Sequence, residues 1–432
     1  MTELYSKYAA CGYRVTTDSR AISGGEIFFA LKGESFDGND YALKALESGA
    51  AYAVVSRTWF DANGAGNGRL IPVEDTYQAL RSLAIEHREA LDIPVIGLTG
   101  TNGKTTTKNL LEAVLSRKFR VCATKGNLNN DIGVPLSVLR MTPDTEIAVI
   151  EMGANHPDDI AKLVTISQPT HGLITNVGKA HLLGFGSFEG VKAAKGELYK
   201  WLGAHGGVIF LNEDSSDLRE MAAQQPCHHF GYGLECQGAS VLPGSPEEPF
   251  LRISLGQMVI RTSLVGAYNA ANVLAAMAVG EYFGVSREEA ADAVASFVPS
   301  NNRSQMSRTA RNTLIIDAYN ANPSSMAAAL ASFKTMEASR KVAMLGDMRE
   351  LGEDSVQEHC KVVETVAGLG LEAYFVGEEF RKALDATGYR AGGWFSGSAE
   401  LASWLAANPV SAAVVLVKGS RGIEMEKVIP EL

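Results

Sequence analysis

Three glycines, Gly97, Gly100 and Gly103, punctuate the stretch Val95-Ile-Gly-Leu-Thr-Gly-Thr-Asn-Gly-Lys-Thr-Thr-Thr-Lys108, between an apolar run and a helix-forming segment. Glycine lets a backbone turn so that successive N–H groups face phosphate oxygens, and the dipole of the following helix adds positive potential. In such a loop Lys104 would neutralise the outer phosphates and the Thr105 hydroxyl would ligate magnesium. The general phosphate-loop pattern sets its first glycine at position 98, where this chain has leucine and carries the glycine at 97. A glycine-rich turn with an ordinary surface lysine is the alternative, and the flanking strand and helix favour the phosphate loop. Gly100, Thr101, Asn102, Gly103, Lys104, Thr105 and Thr106 are its candidate ATP contacts.

Other polar residues stand where such a loop could use them. Glu151 ends an apolar run, Ile147 to Glu151, so its carboxylate would sit at the carboxyl end of a strand, placed for a magnesium ion or simply exposed. His181 follows another apolar run and reads equally as a structural histidine. Lys195 has the periodicity of a solvated helix residue. Asn269 and Asn272 share one helix face, able to read a base edge, with capping of the helix by Asn269 as the equal alternative. Arg303 and Asp317 are further polar candidates. The pair His228-His229 is assigned nothing.

The elements that must position these groups alternate. Residues 1–93 read as a small α/β unit, with strands at 25–31 and 51–56 and helices at 41–48 and 79–90. Residues 94–302 read as a mostly parallel sheet. Its strands are 95–98, 147–151, 172–175 and 207–211, its helices 104–117, 158–166, 190–202 and 267–283, and a β hairpin lies within 238–265. Residues 303–432 read as a second nucleotide-fold-like unit, with strands at 313–317, 342–345, 373–376 and 413–417.

With 432 residues the chain exceeds one typical core, and its net charge of −10 provides no basic field for nucleic acid or an anionic membrane. Its five cysteines show no short paired spacing, which argues against a zinc or disulfide framework and for a reducing cytoplasm. The N-terminal residues lack a signal-peptide core, and no run of apolar residues reaches bilayer-spanning length.

Taken together, Gly100-Thr-Asn-Gly-Lys-Thr105, Glu151-Met-Gly, Thr175-Asn-Val-Gly with Ala180-His181, Ala194-Lys195-Gly-Glu and Asn269-Ala-Ala-Asn272 resemble the Mur ligase family over essentially the full length. Lys125-Gly-Asn-Leu-Asn-Asn-Asp-Ile-Gly133, Asp317-Ala-Tyr-Asn-Ala-Asn-Pro-Ser-Ser-Met326 and Leu345-Gly-Asp-Met-Arg-Glu-Leu-Gly352 narrow it within that family. The resemblance implies a three-domain α/β architecture with a central phosphate-loop ATPase domain and a C-terminal Rossmann-like domain. It implies an ATP- and Mg²⁺-dependent peptide ligase acting on a UDP-N-acetylmuramoyl-tripeptide and D-alanyl-D-alanine, as a cytoplasmic monomer. It implies Thr105 and Glu151 for one metal, and His181 with a carbamate on Lys195 for the other. Lys104, Glu151, His181 and Lys195 are then the catalytic set. Asn269 and Asn272 would contact adenine, Arg303 the phosphates and Asp317 the ribose. Ser19, Arg20 and Lys32 would hold the uridine diphosphate end. Asn127, Asn129 and Asn130 would bind substrate, and Tyr319, Asn320 and Asn322 the dipeptide. Three positions depart from the family's habit: Asn39 for histidine, Asp158 for glycine and Leu183 for glutamate. A folylpolyglutamate synthetase, the ligase adding the third muramyl residue, and a non-ligase phosphate-loop ATPase are the rival readings.

Overall fold

The computed structural model describes every residue except 65, 245–247 and 301. The expected boundary at 302 adjoins one of these positions and the expected hairpin segment contains three; those parts lie outside the described residues.

Three α/β units, each with its own sheet, follow one another. The first carries four parallel strands in sequence order: β1 (Val15–Thr16), β2 (Ile27–Phe29), β3 (Tyr52–Ser56) and β4 (Leu70–Val73). The central sheet is built from β5 (Val95–Thr99), β6 (Val121–Ala123), β7 (Ile147–Glu151), β8 (His171–Ile174), β9 (Val208–Asn212) and β10 (His228–Tyr232), arranged β10-β9-β8-β5-β7-β6 and parallel throughout. The strands β11 (Ala239–Leu242), β12 (Arg252–Leu255) and β13 (Met258–Arg261) make an antiparallel annex, one strand more than the expected hairpin. The third unit holds β14 (Gln305–Arg308), β15 (Asn312–Asp317), β16 (Lys341–Gly346), β17 (Glu372–Val376), β18 (Gly393–Phe395) and β19 (Ala413–Lys418), ordered β14-β15-β19-β16-β17-β18 with only β14 antiparallel.

Strand β5 is buried on both faces, as a central parallel strand must be, and its neighbours β7 and β8 end beside the loop that leaves it. Helix Lys104–Leu115 continues that loop. Its Leu110, Leu111 and Val114 pack against Val273, Leu274 and Met277 of helix Ala270–Tyr282 in one apolar cluster. Burial of each such side chain contributes about 1.5–3 kcal/mol, so the two helices hold the loop rigidly.

The first two units share a core. Tyr5, Tyr8, Leu80 and Leu83 pack in the same cluster as Val134, Val138 and Leu163. The Tyr8 hydroxyl donates to the Leu139 carbonyl at 2.7 Å. The third unit instead has clusters of its own, joined among the described residues by buried Val265 and half-buried Phe250 of the central domain. Its contacts with the centre are mainly polar, the arrangement of a domain free to move as a body.

Two expected helices begin elsewhere. The helix placed at Ala79 starts at Thr76, because the Asp75 carboxylate accepts from the N–H groups of Tyr77 and Gln78 at 2.8 and 3.0 Å. The helix placed at Ala267 opens as a 3₁₀ turn, Ala267–Asn269, before Ala270–Tyr282 becomes α-helical.

Candidate active site

One cleft of about 1050 Å³ runs between the three units. Ligand pockets usually measure roughly 300–1,000 Å³, so this one has room for more than a nucleotide. Thr101 to Thr106, Glu151, Asn269, Asn272, Arg303 and Asp317 line it, as do Asn127, Asn129, Asn130, His181, Tyr319, Asn320 and Asn322.

The loop after β5 turns on two glycines. Gly100 has φ +144° and Gly103 φ +79°; a Cβ on the first would lie 2.0 Å from Thr175 Oγ1, and on the second 2.7 Å from Asn272 Oδ1. Side chains are excluded at both. Lys104 curls back over the loop and donates to the Gly100 and Thr101 carbonyls at 2.6 and 3.2 Å. Burial pushes its ammonium below the usual lysine range. A bound phosphate would offer it a stronger acceptor than these carbonyls.

Glu151, only 1% exposed, closes β7 beside the loop. Thr105 Oγ1 donates to its oxygens at 3.0 and 3.2 Å, and Asn129 Nδ2 donates to Oε1 at 2.8 Å. A hydroxyl, a carboxylate and a carboxamide therefore meet at the mouth of the loop, the hard oxygen donors magnesium prefers.

Lys195 overturns its periodicity. It is 2% exposed, with Nζ 5.6 Å from the centroid of the Phe185 ring and no carboxylate within 4.0 Å among the described residues. Burial, reinforced by repulsion from Lys104, lowers its pKa to about 7, so the neutral amine is well populated at neutral pH. It lies off the cleft surface. His181 has φ +51° and presents Nδ1 to the Glu350 carboxylate of the third unit, without the alignment of a hydrogen bond.

The carboxamides behave differently from the capping alternative. Asn269 caps nothing; its Nδ2 donates to the Val265 carbonyl at 2.8 Å, and its Oδ1 accepts from Asn272 Nδ2 at 2.9 Å. Asn272 Oδ1 accepts from Thr107 Oγ1 at 3.1 Å. The chain makes a buried tie between loop helix and cleft.

From the third unit, Arg303 stacks on Tyr319 with its guanidinium carbon 3.6 Å from the ring centroid. Asp317 pairs at 2.5 Å with Lys418, which is 1% exposed and was not among the expected site residues. Asn322, expected to contact the dipeptide, lines the cleft and is engaged on both ends of its carboxamide. It caps helix Pro323–Thr335, accepting from the Ser325 N–H at 2.9 Å, and its amide is turned to the phosphate loop. Asn320 is exposed, and its Oδ1 accepts from the Ala321 N–H at 2.9 Å. Ser19, Arg20 and Lys32 do not line the cleft, and Arg20 is paired with Asp18. The first unit reaches the cleft instead through Tyr77, Gln78 and Arg81.

Comparison with known proteins is decisive. Residues 13–88 match the Mur ligase family catalytic domain, 98–280 the Mur ligase middle domain and 302–421 the Mur ligase glutamate ligase domain. The chain belongs to the Mur ligase family. Among family members, UDP-N-acetylmuramoyl-tripeptide–D-alanyl-D-alanine ligase of Bacillus subtilis is 33% identical, over 97% of this chain and 92% of the relative. MurF ligase from Thermotoga maritima, solved in complex with ADP, superposes with a TM-score of 0.84 at 27% identity, covering 100% of this chain and 98% of the other. The UDP-N-acetylmuramoylalanyl-D-glutamyl-2,6-diaminopimelate–D-alanyl-D-alanyl ligase of Acinetobacter baumannii gives a TM-score of 0.78 at 30% identity, over 97% and 92%.

The departures from Mur ligase habit are local. Asp158 has φ +63°, the left-handed region in which glycine is at ease. Asn39 is buried; it donates to Asp37 Oδ1 at 2.6 Å and accepts from the Ser56 N–H at 2.9 Å, remote from the cleft lining. Leu183 is 73% exposed, and its N–H donates to the Glu350 carbonyl at 3.3 Å.

Proposed function

We propose that this Mur ligase joins D-alanyl-D-alanine to a UDP-N-acetylmuramoyl-tripeptide at the expense of ATP, a step of peptidoglycan precursor synthesis. A carboxylate is a poor electrophile at neutral pH. Its oxygen therefore takes the γ-phosphoryl group of ATP, ADP leaves, and the dipeptide amine displaces phosphate from the resulting acyl phosphate. The observation that carries the reading is the single cleft in which the phosphate loop, Glu151 and third-domain groups converge with space left for a second substrate.

The chain's own part is positioning and charge neutralisation. In this reading Lys104 leaves its carbonyl partners for the outer phosphates, Asn269 and Asn272 face adenine, Arg303 the phosphates and Asp317 the ribose. Ser19, Arg20 and Lys32 hold the uridine diphosphate end outside the cleft. Tyr319, Asn320 and Asn322 face the dipeptide, and Asn127, Asn129 and Asn130 the muramyl peptide. Magnesium supplies charge neutralisation and polarisation of the phosphoryl group when bound. Thr105 and Glu151 would hold one ion, His181 and Lys195 the other. Among the described residues no group of three or more His, Cys, Asp and Glu gathers there. A buried Lys195 whose neutral amine is well populated at neutral pH can add CO₂, and the carbamate would supply the missing anionic oxygens. Domain limits of 1–93, 94–302 and 303–432 belong to the same proposal. So does a cytoplasmic monomer, testable by fractionation and light scattering; among the described residues no helix is long and apolar enough to cross a membrane.

ADP release measured across muramyl tripeptides and dipeptides tests the reaction. Release should require both a UDP-muramyl tripeptide and D-alanyl-D-alanine. Release without an acceptor, or a preference for glutamate or L-alanyl-L-alanine, would replace the ligase named here with one of its rivals.

A further inference from the structure

Two arginines two turns apart on the same side of helix Thr76–Glu89 have opposite surroundings. Arg88 is buried, and its guanidinium donates to the carbonyls of Ser167, Leu91, Ile93 and Gln168 at 2.7–3.3 Å. That is a structural arginine with its donors consumed. Arg81, seven residues earlier, lines the cleft and makes a single hydrogen bond among the described residues, from Nη2 to Thr165 Oγ1 at 3.0 Å. Thr165 Oγ1 in turn donates to the Lys162 carbonyl at 2.7 Å. One arm of the guanidinium is therefore pinned to helix Asp159–Ser167, beside Lys162, which lines the same cleft. No carboxylate lies within 4.0 Å of either cation among the described residues, Asp131 of the same cleft included.

A pinned guanidinium with Nε and Nη1 unengaged is pre-organised for a planar oxyanion, and lysine beside it adds charge without geometry. The phosphate end of the cleft has its own cations in Lys104 and Arg303. We propose that Arg81, assisted by Lys162, receives a carboxylate of the muramyl peptide other than the one that reacts. The inference rests on the ligase reading. An alanyl-D-glutamyl-2,6-diaminopimelate peptide, the kind for which the Acinetobacter relative is named, offers two such groups: that of the glutamyl residue and that at the far end of diaminopimelate. The second would make Arg81 a determinant of the third residue.

The test measures the Michaelis constant with three UDP-muramyl tripeptides: one ending in diaminopimelate, one in lysine, and one in lysine with the glutamyl carboxylate amidated. Arg81→Met should raise the constant for at least the diaminopimelate peptide on the order of 10- to 100-fold, the loss expected for a hydrogen-bonded charge. Those for ATP and D-alanyl-D-alanine should stay within about twofold. A loss confined to the diaminopimelate peptide assigns the far carboxylate. A loss shared by both acidic glutamyl peptides and absent from the amidated one assigns the glutamyl group. Equal loss on all three peptides, or none, overturns the proposal. Thr165→Val leaves the charge and frees the anchored arm, and should reproduce the same ranking more weakly if Arg81→Met proves unstable. Calorimetric titration of the three peptides reads the same ranking without turnover. Wild-type binding with that ranking but no acceptor-dependent ADP release would remove the ligase reading and leave the carboxylate site standing.

Discussion

Asn322 of the third domain and Asn102 of the phosphate loop, 220 residues apart, face each other as a carboxamide pair, Asn322 Nδ2 donating to Asn102 Oδ1 at 2.8 Å. The same Asn322 side chain caps helix Pro323–Thr335 through its oxygen. One residue thus ties a helix terminus in one domain to the nucleotide loop in another. Nearby, Lys179 pairs with Glu358 at 3.1 Å and the Lys179 N–H donates to Ser324 Oγ at 3.2 Å across the same boundary.

The two roles of Asn322 can be separated. Aspartate caps as well as asparagine but cannot donate to Asn102. Asn322→Asp should keep the thermal midpoint close to the parent while lowering turnover, whereas Asn322→Ala should lose both, with about 1 kcal/mol of stability gone. Parent-like turnover in Asn322→Asp would show that the pair plays no part in closure.

Lys104→Ala should cut turnover on the order of 10²-fold or more while leaving the fold intact, because a phosphate counter-charge is missing where charge moves. ADP release and a melting curve measure the two sides. Activity within about threefold of the parent would remove the lysine from the phosphate site.

Lys195→Arg preserves charge but cannot carry a carbamate, and we predict an inactive protein. Lys195→Ala should regain part of its activity when short carboxylic acids are supplied, since they lend the missing oxygens. Full activity in the arginine variant, or unmodified lysine density at high resolution with both metals bound, would refute the adduct.

His171 gives the pH dependence of stability a definite sign. Burial among Phe210, Tyr282 and Phe283 lowers its pKa to about 4, against about 6.5 in an unfolded chain. Between those values the unfolded state binds more protons, so stability present above pH 6.5 is lost as pH falls toward 4, on the order of 3 kcal/mol from this group. Denaturation midpoints of the parent and His171→Phe at pH 7 and pH 5 should differ in their spacing, with the variant less sensitive to acid. Identical spacing would assign the acid lability to other groups.

The sequence made the central strands legible because they are apolar runs cut by glycine or a terminal carboxylate; Ile147–Glu151 is found at its expected limits. The edge strands β6, β10, β14 and β18 escaped, being short or half-exposed, and His228-His229 belongs to one of them. Lys195 and Lys418 could not be seen as buried, since periodicity treats every lysine as solvated. Asn322 was legible in another way: Asn-Pro-Ser-Ser carries a capping residue followed by proline at the first helical position. Tyr77 fell outside the expected helix when its start was placed at 79, beyond the Asp75 cap, whereas Arg81 lay inside that helix with nothing in the periodicity to set it apart.

Strand β19 is the last of the third sheet in sequence yet sits in its middle, between β15 and β16, and ends on Lys418. During synthesis the ribosome must therefore release residues 413–418 before β15, already paired with β14, can meet β19 on its other side. The first two units, whose shared buried cluster ends at Ala222 and whose second, central cluster is complete by Val294, can already be folded. The nascent protein would hold a finished phosphate loop for the time it takes to translate more than a hundred further residues. Only then does it gain the domain that presents Asn322 and Asp317. A ligase assembled in this order cannot commit ATP to an acceptor before its last strand has left the exit tunnel.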